Sequence, residues 1–223
     1  MKNKKNNSNP EIFQSRKQTL GEEIANSITH GIGAVLSIAA LVILVVFAAK
    51  YGDVWRVVSF SIYGSTLFIL YLVSTLYHSL TNKRVKNFFE ILDHSSIFLL
   101  IAGTYTPVTL VPMRGPWGWT MFGLIWAMAI IGIIMKIFLI GKYKVFSLLV
   151  YLSMGWLIII VFKPMLQMVP QGLIIWLFIG GISYTLGIIF YLFKNIPYFH
   201  FIWHLFVLGG SISHFFGILL YLT

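Results

Sequence analysis

Two histidines four residues apart, His200 and His204 in the string His-Phe-Ile-Trp-His, stand where the last apolar segment of this chain begins. Residues i and i+4 share one face of a helix, so both imidazoles can reach a single metal ion. An apolar span has little reason to hold two such groups unless they have a partner, because ionisable residues inside a membrane are expensive. The chain has no cysteine, which excludes disulfides and thiolate ligands and leaves His, carboxylate and water to hold any metal. The usual helical zinc motif carries a Glu directly after its first His. Here that position is Phe201, so a general base must come from another helix.

The elements that must position these residues are membrane spans. The chain has 223 residues, of which 58% are hydrophobic and only 10% charged. Apolar runs of about 20 residues, long enough to cross a bilayer, recur along its whole length. This excludes a soluble domain. The patterning reads as seven spans, roughly 24–49, 55–80, 88–110, 118–140, 145–163, 171–193 and 199–222. Short connections between them carry Tyr51-Gly52-Asp53, Val111-Pro112, Gly115-Pro116, Pro170 and Asn195-Ile196-Pro197. The expected fold is an all-α membrane protein, a seven-transmembrane helix bundle forming a single domain over 21–223. A flexible basic cytoplasmic tail, 1–20, precedes it, and the first span reads as retained rather than as a cleavable signal peptide.

The formal charge of +10 could suggest nucleic acid, but the basic residues sit in the connections, as in a membrane protein under the positive-inside rule. Lys2, Lys4, Lys5, Arg16 and Lys17 share one side with Lys83, Arg84, Lys86, Lys136, Lys142, Lys144 and Lys194. Lys50, Arg56, Arg114 and Lys163 share the other. This bias places the N-terminus in the cytoplasm and the C-terminus outside, with Trp55, Trp117 and Trp119 in an outer aromatic belt.

With this topology the second span ends at Ser74 and His78, the third begins with Asp93 and His94, and the seventh begins with His200 and His204, all on the cytoplasmic side. His78, His200 and His204 offer three nitrogens and leave one tetrahedral position open, the pattern of a catalytic zinc site. Bound zinc lowers the pKa of its water toward 7. Asp93 is the expected general base for that water, and Ser74, one turn deeper than His78, can hydrogen-bond the water or a developing oxyanion. A lone intramembrane histidine is read as glue between helices. Three of them converging with Asp and Ser at one depth favour a metal site over glue.

The remaining polar residues divide differently. Glu22, Asn26 and His30 follow an i, i+4, i+8 line on the same side and form either an outer shell around the site or a capping and helix-contact network. His214 lies ten residues past His204, about 15 Å deeper and on another face, so it cannot ligate the same ion. It is expected at a helix contact, with a polar cavity leading to the metal as the other option. His94 points about 100° away from Asp93 and stays out of the ligand set. Glu90 is expected to pair with Lys86 at i, i+4. Gly180-Gly181 and Gly209-Gly210 are expected to permit close helix packing.

Five separated motifs carry a family resemblance: Asn26-Ser27-Ile28-Thr29-His30, Ser74-x3-His78, Leu92-Asp93, His200-x3-His204 and Ser213-His214-Phe215. In that order and topology the chain resembles the bacterial hemolysin III proteins, within the wider progestin and adipoQ receptor family that includes the adiponectin receptors. The resemblance implies a cytoplasm-side zinc held by the positions of His78, His200 and His204, with the position of Asp93 holding the water. Relatives in the broader superfamily include ceramide-cleaving amidases, which implies a zinc-dependent hydrolase with a membrane lipid amide or ester as substrate. The family name implies instead a pore-forming cytolysin. A membrane sensor or receptor with purely structural zinc is a third expectation.

Overall fold

The computed structural model describes residues 16–139 and 144–223, and within them the chain is helical with no strand. In chain order the helices are α1 (Leu20–Tyr51), α2 (Val54–Ser79), α3 (Lys83–Leu110), α4 (Pro116–Leu139), α5 (Lys144–Gly155), α6 (Phe162–Met168), α7 (Gln171–Leu192) and α8 (Phe199–Leu222). A 3-10 turn, Leu157–Val161, joins α5 to α6. The first fifteen residues of the expected tail lie outside the described residues. Arg16, at its end, lies against the bundle, with its backbone N–H and Nε both donating to Asn195.

Local sequence sets the helix ends. Thr19 and Glu22 form a reciprocal capping box at the start of α1. The Asp53 side chain accepts from Arg56 N to start α2, and Asn82 accepts from Arg84 N and Val85 N to start α3. The turn before α4 runs through Gly115 at φ +147°, a left-handed conformation that glycine adopts without a steric penalty. Tyr198, the residue before α8, takes φ +62° although it has a side chain, and its N–H is held by Glu22 Oε1 at 2.9 Å.

Among the described residues, six helical segments are long and apolar enough to cross a membrane: α1, α2, Pro116–Phe138 of α4, Phe146–Met168 across α5 and α6, α7 and α8. The other long helix, α3, is different. Lys83, Arg84, Lys86, Glu90 and Asp93 crowd its first three turns, while every residue from Ala102 to Leu110 is buried. It packs against α2 and α4 and touches α5 and α8, so it runs through the middle of the bundle. Its hydroxyls suit that position: Thr104, Thr106 and Thr109 donate back to carbonyls one turn earlier and present methyl groups to their neighbours.

The fifth expected span ends later than its pattern suggests and is broken. The helix stops at Gly155, passes through the 3-10 turn, and resumes through Lys163 to Met168. Tyr105 of α3 makes the break tolerable, since its hydroxyl donates to Gly155 O at 3.0 Å and accepts from Ile158 N at 2.9 Å. Backbone groups that lose their helical partners in an apolar setting need such replacements.

Glycines set the closest helix approaches. A Cβ at Gly103 would overlap Thr66 of α2, whereas a Cβ at Gly123 would meet nothing within 4 Å. Gly103→Leu is therefore expected to cost about 1–3 kcal/mol through overpacking. Thermal unfolding in detergent should show a lowered midpoint for Gly103→Leu and an unchanged one for Gly123→Ala; equal midpoints for both would contradict this packing.

Candidate metal centre

Four helix ends meet at one end of the bundle: the starts of α1, α3 and α8 and the finish of α2. Polar contacts tie them together. Glu22 of α1 receives the Arg16 guanidinium and the N–H of Tyr198 in front of α8. Glu23, the next residue, faces α2 and α3. Its Oε2 accepts from His78 Nδ1 at 2.7 Å and its Oε1 accepts from Lys86 Nζ at 2.6 Å.

Inside this ring of contacts, His78, His200 and His204 each offer a ligand nitrogen within 4.8 Å of the others. The His200 and His204 rings lie 4.6 Å apart, and His78 stands 5.3 and 5.0 Å from them, centroid to centroid. His204 is 2% exposed and His78 4%, while His200 is half-buried. These separations suit a shared cation. Two nitrogens on a tetrahedral ion at the usual zinc–nitrogen distance stand about 3.3 Å apart, and His200 Nε2 and His204 Nε2 are 3.2 Å apart. The state of His78 points the same way. A carboxylate only accepts, so Nδ1 carries the hydrogen given to Glu23, which leaves Nε2 as the nitrogen that can offer a lone pair to a metal. That Nε2 is buried with no hydrogen-bond partner. A carboxylate behind a histidine whose far nitrogen is bare is the support that metal-binding imidazoles usually have. The residues fit a divalent metal ion.

Other expected site residues take varied places. Ser74 is 1% exposed, and its hydroxyl has no hydrogen-bond partner although most helical hydroxyls here bond back to a carbonyl. Asp93 is half-buried, and its carboxylate is not part of the tight ligand group. It acts electrostatically on the phenols of Tyr77 and Tyr191, which lie against His78 and His200. His94 points elsewhere: its Nδ1 donates to Glu90 O and its carbonyl accepts from Tyr151. The expected Lys86–Glu90 pair gives way to Lys86–Glu23, because Glu23 is already fixed by His78 and the cation closes a link between helices.

The line Glu22, Asn26, His30 splits by depth. Glu22 serves as cap and latch, Asn26 Nδ2 donates to Gln18, and His30 reaches the histidine group. His30 stacks on His204 at 3.6 Å and meets Tyr71 edge-on at 5.1 Å. Glu23, which holds both His78 and Lys86, is the contact residue that sequence reasoning missed. A signal existed: Glu23 lies one turn before Ser27, whose hydroxyl meets Ser79 at 2.6 Å, so both mark the face of α1 turned to α2.

Fold and site together define a multi-pass helical protein of the cell membrane with a buried three-histidine group at one end of its bundle. The chain matches the family described as haemolysin-III related over residues 18–215, and it belongs to that family. It is 52% identical over 203 residues to the hemolysin-3 homolog of Bacillus subtilis, covering 91% of this chain and 95% of the relative. Hemolysin-3 of Bacillus cereus is 52% identical over 204 residues, covering 92% and 93%. The human monocyte to macrophage differentiation factor is 34% identical over 217 residues, covering 92% and 87%.

Glu23→Gln keeps the shape of that side chain but removes the charge that holds His78. A supporting carboxylate of this kind typically contributes about 10–100-fold in metal affinity. Competition against a chelator should show zinc binding to Glu23→Gln weakened by about that factor, while Glu90→Gln binds as the wild type does. Equal affinities for Glu23→Gln and wild type would contradict the assignment.

Proposed function

We propose that this protein is a zinc-dependent membrane hydrolase acting on a lipid amide or ester at the cytoplasmic side of the bilayer. α3 crosses the membrane with the six apolar segments, giving seven spans with the N-terminus in the cytoplasm. The bias of basic residues toward the end that carries the histidines supports this orientation. The single observation that carries the reading is the group of three histidine nitrogens turned toward one another, one with its lone pair bared by Glu23.

His78, His200 and His204 hold the ion. Bound zinc supplies Lewis acidity toward a carbonyl and makes water acidic near neutral pH. Asp93, set back from the histidines, takes the proton of the attacking water and returns it to the departing amine or alcohol. Ser74 has an uncommitted hydroxyl one turn below His78, and it donates to the oxygen that gains charge as the carbonyl is attacked. The Ser74 role uses a hydroxyl that is not bound elsewhere.

A place for the substrate adjoins the site. An apolar cavity of about 160 Å³, partly open to the surroundings, lies between α3, α5, α7 and α8. Tyr191 and Trp203 line it, and Tyr191 stands 6.2 Å from His200, ring to ring. An acyl chain in the cavity brings its carbonyl toward the histidines. The tight burial of α3 argues against a water-filled pore through the bundle, which favours hydrolysis over cytolysis as the primary activity.

Purified protein should carry one zinc per chain, lost in His204→Ala. Asp93→Ala should retain zinc and its thermal midpoint while turnover of a lipid amide or ester falls by at least about 100-fold. Zinc retained with no lipid turnover in the wild type would point to a structural metal and overturn the enzymatic reading.

A further inference from the structure

We propose that Trp203 and Tyr191 hold the carbonyl oxygen of a chain bound in the apolar cavity, so that the site selects acyl lipids over alkyl chains that lack a carbonyl. The inference rests on the reading of the cavity as an acyl site and adds the residues that recognise the acyl head.

Most polar groups on the cavity wall are spent inside the protein. Thr104 and Thr185 donate to the carbonyls of Leu100 and Gly181. Tyr105 bridges the break between α5 and α6, Tyr151 donates to His94 O, and Trp156 donates to Thr185 Oγ1. The Tyr184 hydroxyl is paired with Ser211 Oγ at 2.8 Å. His214 is withdrawn as well, because its Nε2 lies 3.1 Å from Leu177 O and its Nδ1 is enclosed by protein.

Two donors remain. Among the described residues, neither the indole N–H of Trp203 nor the hydroxyl of Tyr191 has a hydrogen-bond partner, and neither atom is enclosed as His214 Nδ1 is. Both residues line the cavity. Their rings stand 5.6 Å apart, and the Tyr191 ring stands 6.2 Å from that of His200. Trp203 directly precedes His204 in α8, so the pair marks the end of the cavity next to the three histidines.

The Trp203 ring is seated so that its donor faces inward. Trp203, Val207 and His214 line the cavity from one face of α8, while Leu205 and Ile212 on the opposite face are exposed. A Cβ at Gly187 of α7 would come within 2.8 Å of Trp203 Cε3 and 3.0 Å of Cζ3. That edge of the indole lies across the ring from Nε1. The benzene edge is therefore pressed onto α7, and the N–H is turned away from it.

The chemistry of the two donors names the ligand group. An indole N–H only donates, and a phenol hydroxyl can donate beside it. A carbonyl oxygen has two lone pairs and no hydrogen, so one such oxygen accepts from both. A hydrocarbon meets neither donor, although buried Trp and Tyr polar groups usually find a partner. The wall beyond the pair is apolar, through residues such as Leu100, Ile101, Val108 and Leu152, which suits the chain behind a carbonyl.

A methyl ketone isolates this recognition, because it carries a carbonyl, donates no hydrogen bond and cannot be hydrolysed. Purified protein in detergent is equilibrated with equimolar 2-pentadecanone and pentadecane, and the retained molecules are measured by mass spectrometry. Wild type should retain the ketone over the hydrocarbon by about tenfold, the effect of a buried hydrogen bond. Trp203→Phe and Tyr191→Phe should each lower that preference by about threefold, and the double variant should lower it most, with pentadecane retained as before. Wild type with no preference, an undiminished preference in the double variant, or retention of neither probe would each overturn the proposal. No turnover enters the readout. Loss of the preference therefore leaves the zinc and Asp93 results standing, and a protein without lipid turnover would still show it.

Discussion

An imidazole lone pair buried without a partner costs about 1–3 kcal/mol, and this bundle gathers three imidazoles, their ligand nitrogens within 4.8 Å of one another, at its polar end. A single divalent cation bound by the three would satisfy them together. The rest of that end of the molecule keeps the rings aimed inward. α1 contributes most, though it supplies no ligand: Glu23 fixes the tautomer of His78, His30 stacks on His204, and Glu22 holds the strained Tyr198 that leads into α8. Because Arg16 and Lys86 bind these two carboxylates, α1, α2, α3 and the α7–α8 connection are locked at one place.

The same end adjoins the apolar cavity through Tyr191, which lines it and stands against His200. The broken helix forms part of the wall of this space, through Leu152, Gly155, Trp156, Ile158 and Met165. A continuous helix there would carry its backbone bonds internally, whereas the broken one needs Tyr105 to complete them. Asp93 belongs to the central helix and stands apart from the histidines.

Much of this was legible in the sequence. His200 and His204 are linked by helical periodicity alone, and the alternation of spans carries His78 to the same end from more than a hundred residues away. His214 fell where ten helical residues of rise require, at a contact with α7. Glu23 was hidden because the line Glu22, Asn26, His30 drew attention to a neighbouring face, and choosing between faces one residue apart requires knowing which helix lies opposite. Lys86 was assigned to Glu90 by local spacing, and a partner on another helix outcompeted it. The broken span was invisible for a related reason: Trp156–Val161 is apolar enough for a straight helix, and only the hydroxyl of Tyr105 arriving from α3 stabilises the break. α3 itself carries a weak membrane signal because its apolar surface meets protein, and its charged start serves the site.

X-ray absorption at the zinc edge of the purified, chelator-free protein tests the central claim most directly. The account predicts one zinc per chain with three imidazole nitrogens and one oxygen at about 2.0–2.1 Å. Absence of stoichiometric metal, or a coordination shell without histidine, would contradict it.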